Sequence, residues 1–157
     1  MLGFIRAELA DVPDHLLRLA AAWLLALPIA WDREKNERSA GLRTFPLVAI
    51  ATCGFIIATE KMMAGSGDAH SRMLQGVIMG IGFIGSGAIL KMHGMVHGTA
   101  TAASIWVVGA VGIAAAYRQY DVALALSLAV FLTLRFMRPF KSRRADEMDG
   151  INPRDDR

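Results

Sequence analysis

The sequence predicts an all-α integral membrane protein, a bundle of five transmembrane helices with its N-terminus outside and its C-terminus in the cytoplasm. Hydrophobic residues make up 54% of the 157 residues, and the mean hydropathy is +0.39. The charged residues are confined to a few blocks. A water-soluble helical bundle is the alternative, but each of its helices would need a polar stripe at 3.6-residue spacing. The third and fourth apolar segments lack such a stripe.

Five apolar segments approach the length of about 20 residues that a helix needs to cross roughly 30 Å of hydrocarbon. Slightly shorter segments cross by thinning the bilayer around them. The five segments are residues 16–31, 45–59, 74–90, 99–116 and 122–137. We therefore divide the chain into a periplasmic N-terminal segment (1–15), a transmembrane domain (16–137) and a cytoplasmic tail (138–157). The tail is basic and then of mixed charge, and we expect it to be disordered.

The distribution of lysine and arginine gives the orientation, because short loops rich in these residues stay in the cytoplasm. The loops after the first and third segments and the tail carry most of them: Arg33, Lys35, Arg38, Arg43, Lys91, Arg138, Lys141, Arg143, Arg144, Arg154 and Arg157. The opposite side has Arg6, Lys61, Arg72 and Arg118. Five crossings with the N-terminus outside and the tail inside satisfy this distribution.

Two arginines fall inside apolar segments, Arg18 in the first and Arg135 in the last, each near an end. Their long side chains can carry the charge to the membrane surface, so we expect both to snorkel. The formal net charge of +3 then reflects the cytoplasmic excess and requires no nucleic-acid partner. The basic residues within 140–144 lie beside the membrane, where each charge gains about 1 kcal/mol from anionic lipid.

A glycine-rich stretch in the third segment, residues 80–87, reads GIGFIGSG and contains the GxGxxG spacing of dinucleotide-binding folds. That motif binds a pyrophosphate only between a strand and a helix, with an acidic residue about 20 positions further on. The next carboxylate here is Asp121. We therefore predict no nucleotide.

Close helix packing is the predicted role of these glycines, because small residues four apart let helices approach closely in lipid. We expect the third helix at the centre of the bundle, in a tight hairpin with the fourth. An interrupted helix that lines an ion path is the alternative role. The packing positions are Gly76, Gly80, Gly82, Gly85 and Gly87 on the third segment and Gly109 and Gly112 on the fourth.

The sequence shows no catalytic or metal-binding constellation. Cys53 is the single cysteine and lies in an apolar segment, which excludes an intramolecular disulfide and a thiolate cluster. His93 and His97 are four residues apart, but glycines intervene and no carboxylate is close in sequence. We expect no enzyme activity and no cofactor.

The loop after the first segment mixes acidic and basic residues at the membrane surface. Glu34 and Arg38 have the i,i+4 spacing and order that stabilise a helix. Asp32 and Arg43 flank the loop at equivalent depths, where a partly buried cation needs a carboxylate partner. We predict an Asp32–Arg43 ion pair that closes the bundle at its cytoplasmic mouth.

The chain resembles the MgtC/SapB family of bacterial membrane proteins over about residues 16–135, because four motifs follow one another in the family's order. They are the charged run at 32–34, AGLRT at 40–44, GIGFIGSGAIL at 80–90 and GTATAASIWV at 98–107. Carried over by position, the resemblance implies functional roles for Asp32, Arg33, Glu34, Arg43, Thr44, Thr101 and Ser104.

The chain departs from the family pattern at two places. Ala30 and Trp31 replace a Gly-Leu or Gly-Phe pair, and Ala100 replaces a second threonine. The second departure weakens a hydroxyl-based site at the start of the fourth helix. Many members also carry a soluble C-terminal domain, which we expect this chain to lack.

The resemblance implies a role in magnesium homeostasis, in growth in low magnesium and, in pathogens, in survival inside macrophages. Two functions compete: regulation of another membrane complex, such as F-type ATP synthase, and with it the membrane potential, or transport of Mg²⁺ or another small ion. Magnesium prefers several oxygen ligands, yet the acids near the membrane are only Glu60 and Asp32. We favour the regulator. One copy is poorly equipped as a magnesium pore, and a path shared between the copies of a homo-oligomer is the form of transport left open.

Overall fold

The computed structural model describes residues 10–36, 40–60, 62, 65–92 and 95–137. Within them the chain forms five helices and one antiparallel hairpin of two short strands. The predicted segment before residue 10, the tail after residue 137, Arg38 and His93 lie outside the described residues. The elements are α1 (Val12–Asn36), α2 (Thr44–Glu60), α3 (Gly67–Ser86), β1 (Leu90–Met92), β2 (Met95–His97), α4 (Thr99–Ala116) and α5 (Tyr120–Phe136).

The prediction of an all-helical protein is confirmed, apart from the hairpin. Two helices are long and apolar enough to cross a membrane: α1, over Val12–Lys35, and α4, over its full length. The helix α2 is apolar but shorter. The 25 residues of α1 extend beyond the predicted segment at both ends. At 1.5 Å per residue the helix is about 37 Å long.

The hairpin corrects the predicted third segment, because the sequence predicts a helix as far as residue 90. The helix α3 ends at Ser86, and Leu90 pairs with His97 across the two strands. Gly98 follows with φ of +83°, a conformation that favours glycine. A Cβ at this position would collide with the carbonyl oxygen of Ala88. The chain thus makes a tight turn between α3 and α4 that hydropathy alone does not indicate.

The centre of the bundle is α4, not the third helix as expected from the glycines. The helix α4 contacts all four of the other helices, whereas α3 contacts α4 and, less extensively, α2. Small buried residues such as Gly109, Gly112 and Ala115 make this possible, since they allow several helices to approach one axis. In α3 the buried residues are Ile81 and Gly85.

The predicted packing glycines fall into two groups. Three lie against another helix: Gly85 against the Ala102 carbonyl, Gly109 against Ile81, and Gly112 against Thr52 and the Ala49 carbonyl. Four have no such neighbour: a Cβ on Gly76, Gly80 or Gly82 would have no side-chain or other-helix atom within 4 Å, and one on Gly87 would meet only carbonyls of its own helix.

Successive helices run in opposite directions. The start of α1 is joined to the ends of α2 and α4 by side-chain hydrogen bonds of Arg18, and the start of α3 to the end of α4 by a contact between His70 and Tyr117. The opposite end holds the link between Glu34 and Leu42. Charged residues therefore collect at the two ends of an apolar bundle.

Candidate functional site

A group of charged residues is centred on Arg18, the seventh residue of α1. Its guanidinium lies 2.5 Å from Asp14 and 2.8 Å from Glu60, and it donates a 2.9 Å hydrogen bond to the Ala116 carbonyl. Arg118 donates two hydrogen bonds to Asp14, at 3.0 and 2.8 Å. We call Asp14, Arg18, Glu60 and Arg118 the Arg18 cluster. It connects α1, α2 and the turn between α4 and α5.

The position of Arg18 corrects the expectation that this arginine snorkels to the membrane surface. The residue is only 2% exposed and has protein partners on three elements. A charge inside an apolar bundle is tolerated when carboxylates and carbonyls surround it. Arg135, the other arginine in question, is exposed in the last turn of α5.

The turn after α4 places Arg118 for this contact. Arg118 has φ of +58°, the left-handed region that non-glycine residues seldom adopt, and its backbone N–H donates to the Ala115 carbonyl. The two hydrogen bonds with Asp14 raise the pKa of Arg118 above its usual range. The guanidinium is therefore a permanent cation that holds the start of α1 against the α4–α5 turn.

His70 and Tyr117 form a second contact at the same end. The Tyr117 hydroxyl and the His70 Nε2 are hydrogen-bonded, and the two ring centroids are 5.4 Å apart. Burial, and secondarily the charge of Glu60, raises the pKa of Tyr117. Since the phenol stays neutral, it can donate to the imidazole or accept from it, depending on the tautomer.

A cleft of about 670 Å³ opens beside the Arg18 cluster. Glu60 and Asp14 remain partly accessible there, with side chains 45% and 33% exposed. The walls combine acidic, basic and aliphatic groups: Asp11, Asp14, His15, Arg18, Leu19, Gly54, Ile57, Ala58, Glu60 and Arg118. Arg18 and Arg118 already bind the carboxylates of Glu60 and Asp14, which limits the oxygen ligands that the cleft can offer.

At the opposite end of α1, the predicted residues Asp32 and Arg33 are both buried. Their side chains form an ion pair at 2.9 Å. Arg43 is exposed, and the structure gives Asp32 the partner Arg33 and not the predicted Arg43. The reason is local: Arg33 follows Asp32 directly on the same helix, so its guanidinium reaches the carboxylate without closing a loop.

The Glu34 side chain contacts the backbone of the AGLRT motif at 40–44. Its carboxylate accepts a hydrogen bond from the Leu42 backbone N–H at 2.9 Å, just before α2 begins at Thr44. Gly41 is buried against Glu34, and a Cβ there would collide with the carboxylate. The glutamate thus ties the end of α1 to the start of α2, and the glycine provides the space.

The remaining predicted residues lie at the same end of the bundle. Thr44 is half-buried at the start of α2. Thr101 and Ser104 are buried in the first turns of α4, where Ser104 donates to the Ala100 carbonyl at 2.7 Å. Among the predicted site residues, Asp32 and Arg33 are joined by an ion pair, although the predicted partner of Asp32 was Arg43.

Asp14 and Arg118 were not predicted as site residues from the sequence, and Glu60 was expected only as an acidic residue near the membrane. One signal was available, since Asp14 precedes Arg18 by four residues, the spacing of a helical ion pair. Arg118 and Glu60 carry no such signal, because their contacts with α1 span 104 and 42 residues.

The fold and this site define a small helical bundle with membrane-length apolar helices and an ion-paired cluster at each end. The profile of the MgtC family matches residues 19–143. The chain belongs to the MgtC family. It is 35% identical to Protein MgtC of Salmonella typhimurium strain LT2 over 74% of this chain and 49% of that protein. It is also 35% identical to Protein SrpB of Synechococcus elongatus, over 79% of this chain and 73% of that protein.

Protein MgtC of Brucella abortus is 40% identical over 60% of this chain and 39% of its own length. The chain spans about half the length of the Salmonella relatives that it matches. No solved structure matches the chain.

Proposed function

We propose that this chain is a multi-pass protein of the bacterial cytoplasmic membrane that supports magnesium homeostasis by acting on another membrane complex. Membership of the MgtC family supports the link to magnesium, and the apolar surface of the bundle supports the membrane location. Exposed residues such as Leu47, Phe55, Leu128 and Phe136 would face lipid.

The observation that carries the proposal is the way the charged groups are matched. Arg18 neutralises Glu60 at one end, and Arg33 neutralises Asp32 at the other. The two arginines are 15 residues apart on α1, about 22 Å along its axis. Between them, the facing residues of α1, α2 and α4 are small and apolar, among them Ala22, Ala26, Ala49, Cys53, Val108 and Ala115.

Such an interior is poorly suited to Mg²⁺. The ion holds its waters tightly and prefers octahedral oxygen coordination. In the part of the chain that the structure describes, no group of three acidic, histidine or cysteine side chains could hold a metal ion. The buried hydroxyls of Thr52 and Ser127 are occupied by carbonyl partners. This arrangement favours regulation over conduction through one copy.

The cleft at the Arg18 cluster supports the second candidate, transport of a small ion. It contains the partly accessible carboxylates of Glu60 and Asp14 and opens to the outside of the bundle. It would serve as an entrance if the pairing with Arg18 were released. F-type ATP synthase, suggested by the family resemblance, is the first partner complex to test under the regulator proposal.

Flux measurements separate the two functions. Vesicles that contain only the purified protein and a Mg²⁺-sensitive dye are expected to show no more flux than empty vesicles, while the same protein restores growth of a deletion strain in low magnesium. Flux that requires the wild-type chain and disappears in Asp32→Asn would replace the regulator with the transporter. Co-purification of ATP synthase subunits with the wild-type chain would identify the regulated complex.

The proposed orientation has its own test in a Cys53→Ala background. Gln119 lies at the end with the Arg18 cluster, and Lys91 lies in the hairpin at the other end; both are exposed. A cysteine at position 119 is expected to react with a membrane-impermeant maleimide from the periplasm. A cysteine at position 91 is expected to react only after the membrane is opened. The reverse pattern would invert the topology.

A further inference from the structure

The Arg18 cluster is a chain of alternating charges that ends in two partly exposed groups. Arg18 joins Glu60 to Asp14, and Asp14 in turn accepts two hydrogen bonds from Arg118. The Arg18 side chain, inside the chain of charges, is only 3% exposed, whereas those of Glu60 and Arg118 at its ends are 45% and 52% exposed. The cluster therefore presents one negative group and one positive group at its surface.

Each end group keeps an unused edge within the described part of the chain. Arg18 binds the Oε2 atom of Glu60, and no described residue binds the Oε1 atom. Arg118 uses Nε and Nη2 for Asp14, so Nη1 keeps two N–H donors that no described residue accepts. Glu60 and Arg118 line the same cleft of about 670 Å³. The cleft thus offers a carboxylate acceptor and a guanidinium donor to one ligand.

The balance of charge in the cleft favours a ligand that carries both signs. The lining contains three carboxylates and two guanidinium groups: Asp11, Asp14, Glu60, Arg18 and Arg118. A wholly anionic ligand would meet the excess of carboxylates, and a wholly cationic ligand would meet the unused edge of Arg118. A zwitterion, with its cation and anion a few ångströms apart, is complementary to both end groups.

The remaining walls of the cleft are aliphatic, which favours a lipid as the carrier of the two charges. Leu19, Ile57 and Ala58 belong to the lining. Leu16 and Leu17 lie just before Arg18 on α1, and they are 60% and 59% exposed. The acyl chains of a lipid would remove such side chains from water, whereas a small soluble zwitterion would leave them uncovered.

We propose that this cleft binds the headgroup of a phospholipid with a primary ammonium, of the phosphatidylethanolamine type. The ammonium donates to Oε1 of Glu60, and the phosphate accepts from Nη1 of Arg118, both as charge-assisted hydrogen bonds. The trimethylammonium of phosphatidylcholine has no N–H to donate, and the glycerol headgroup of phosphatidylglycerol has no cation for Glu60. The inference rests on the proposed membrane location, but not on which complex the protein regulates.

A headgroup in this position bridges elements that only the native bundle brings together. Glu60 is the last residue of α2, and Arg118 lies in the turn between α4 and α5. Arg18 and Asp14 already link both of them to α1. Because the unfolded chain has no such site, the bound lipid stabilises the folded state by mass action.

The first test compares lipids on the wild-type protein. Protein in a mild detergent is mixed with phosphatidylethanolamine, phosphatidylcholine and phosphatidylglycerol of identical acyl chains, and bound lipid is counted by native mass spectrometry. We expect the ethanolamine lipid to be retained about tenfold over each of the others, roughly the effect of one hydrogen bond to a charged group. Equal retention, or a preference for either other lipid, would overturn the proposal. The membrane location is judged separately, from the membrane fraction of cells, and would stand.

A second measurement separates the lipid from a soluble zwitterion. Phosphoethanolamine has the same ammonium and phosphate but no acyl chains. At millimolar concentration we expect it to leave the bound lipid in place. Displacement of the lipid by phosphoethanolamine would identify a free zwitterion as the ligand and refute the lipid.

Variants at the two end groups locate the site. Glu60→Gln and Arg118→Gln each remove one of the two charges, and each is expected to abolish the tenfold preference. Arg135→Gln is the matched control, because Arg135 is an exposed arginine near the end of α5, and it should keep the preference. A preference that survives both end-group variants, or that is lost in the control, would place the lipid elsewhere. The lipid comparison on the wild-type chain decides the proposal even if a variant does not fold.

Discussion

Arg18 and Glu60 provide the sharpest test of what holds the bundle together. The structure places the Arg18 guanidinium 2.8 Å from the Glu60 carboxylate and 2.9 Å from the Ala116 carbonyl, in a position that is 2% exposed. We expect Arg18→Met and Glu60→Gln each to lower the free energy of unfolding. The double variant should lose less than the sum, because the two residues act on each other.

The magnitude follows from the exposure of each partner. Hydrogen bonds to charged groups contribute about 1.5–3 kcal/mol, but the Glu60 side chain is 45% exposed and its share is reduced by solvent. Replacing Arg18 does not leave Asp14 alone, since Arg118 still binds it. We therefore expect losses of about 2–4 kcal/mol for Arg18→Met and about 1–2 kcal/mol for Glu60→Gln, with a coupling energy of about 1–2 kcal/mol.

Unfolding in mixed micelles with a rising fraction of denaturing detergent, followed by tryptophan fluorescence, measures these values. Arg135→Met is the matched control, because Arg135 is an exposed arginine near the end of an apolar helix. It should change the free energy of unfolding by no more than about 0.5 kcal/mol. Strict additivity of the two single variants would show that Arg18 and Glu60 do not act on each other. An Arg18→Met variant as stable as the control would show that the cluster does not stabilise the bundle.

Two further predictions concern packing between helices. Gly112→Ala should lower the free energy of unfolding by about 1–3 kcal/mol, because the new Cβ meets the Ala49 carbonyl. Gly54→Ala is the control in the same unfolding assay: it lies at an open position of α2 and should be neutral or slightly stabilising. Ser127→Ala should lower the free energy of unfolding by about 1 kcal/mol, because it removes a 2.6 Å hydrogen bond from α5 to a carbonyl of α1. Thr133→Ala removes a hydrogen bond within α5 itself and should lower it less. A reversed order within either pair contradicts the packing described above.

The number and order of the helices could be predicted from the sequence, because apolar length and breaks in hydropathy are local properties. The bounds of α4 agree with its apolar segment at both ends. Those of α3 do not, because its first turns are polar and its last predicted residues form a strand. The hairpin depends on the left-handed turn at Gly98 and on its fit against Ala88. Neither feature has a hydropathy signal.

The site was predicted less well, for a physical reason that Arg18 illustrates. An arginine one turn from the end of an apolar helix can snorkel or can be paired inside the protein, and both satisfy the same local sequence. What decides is whether Glu60 and Ala116 arrive at its position, and they lie 42 and 98 residues away. The glycines show the same limit: spacing indicates a packing face on α3 but not which helix covers it.

Among the described helices, α3 has the fewest contacts with the rest of the bundle. The helices α1, α2, α4 and α5 are joined by the Arg18 cluster, by the hydrogen bond of Ser127 and by the buried contacts around Gly112. Displacing any of them breaks buried polar contacts or opens a void, each at a cost of about 1–5 kcal/mol. By contrast, α3 is held against α4 by one packed stripe and the His70–Tyr117 hydrogen bond, and it borders an open apolar groove toward α2. If the chain acts as the proposed regulator, the position of α3 is the one that a partner can change at the lowest cost, and the contact between Ile81 and Gly109 joins α3 to the central helix.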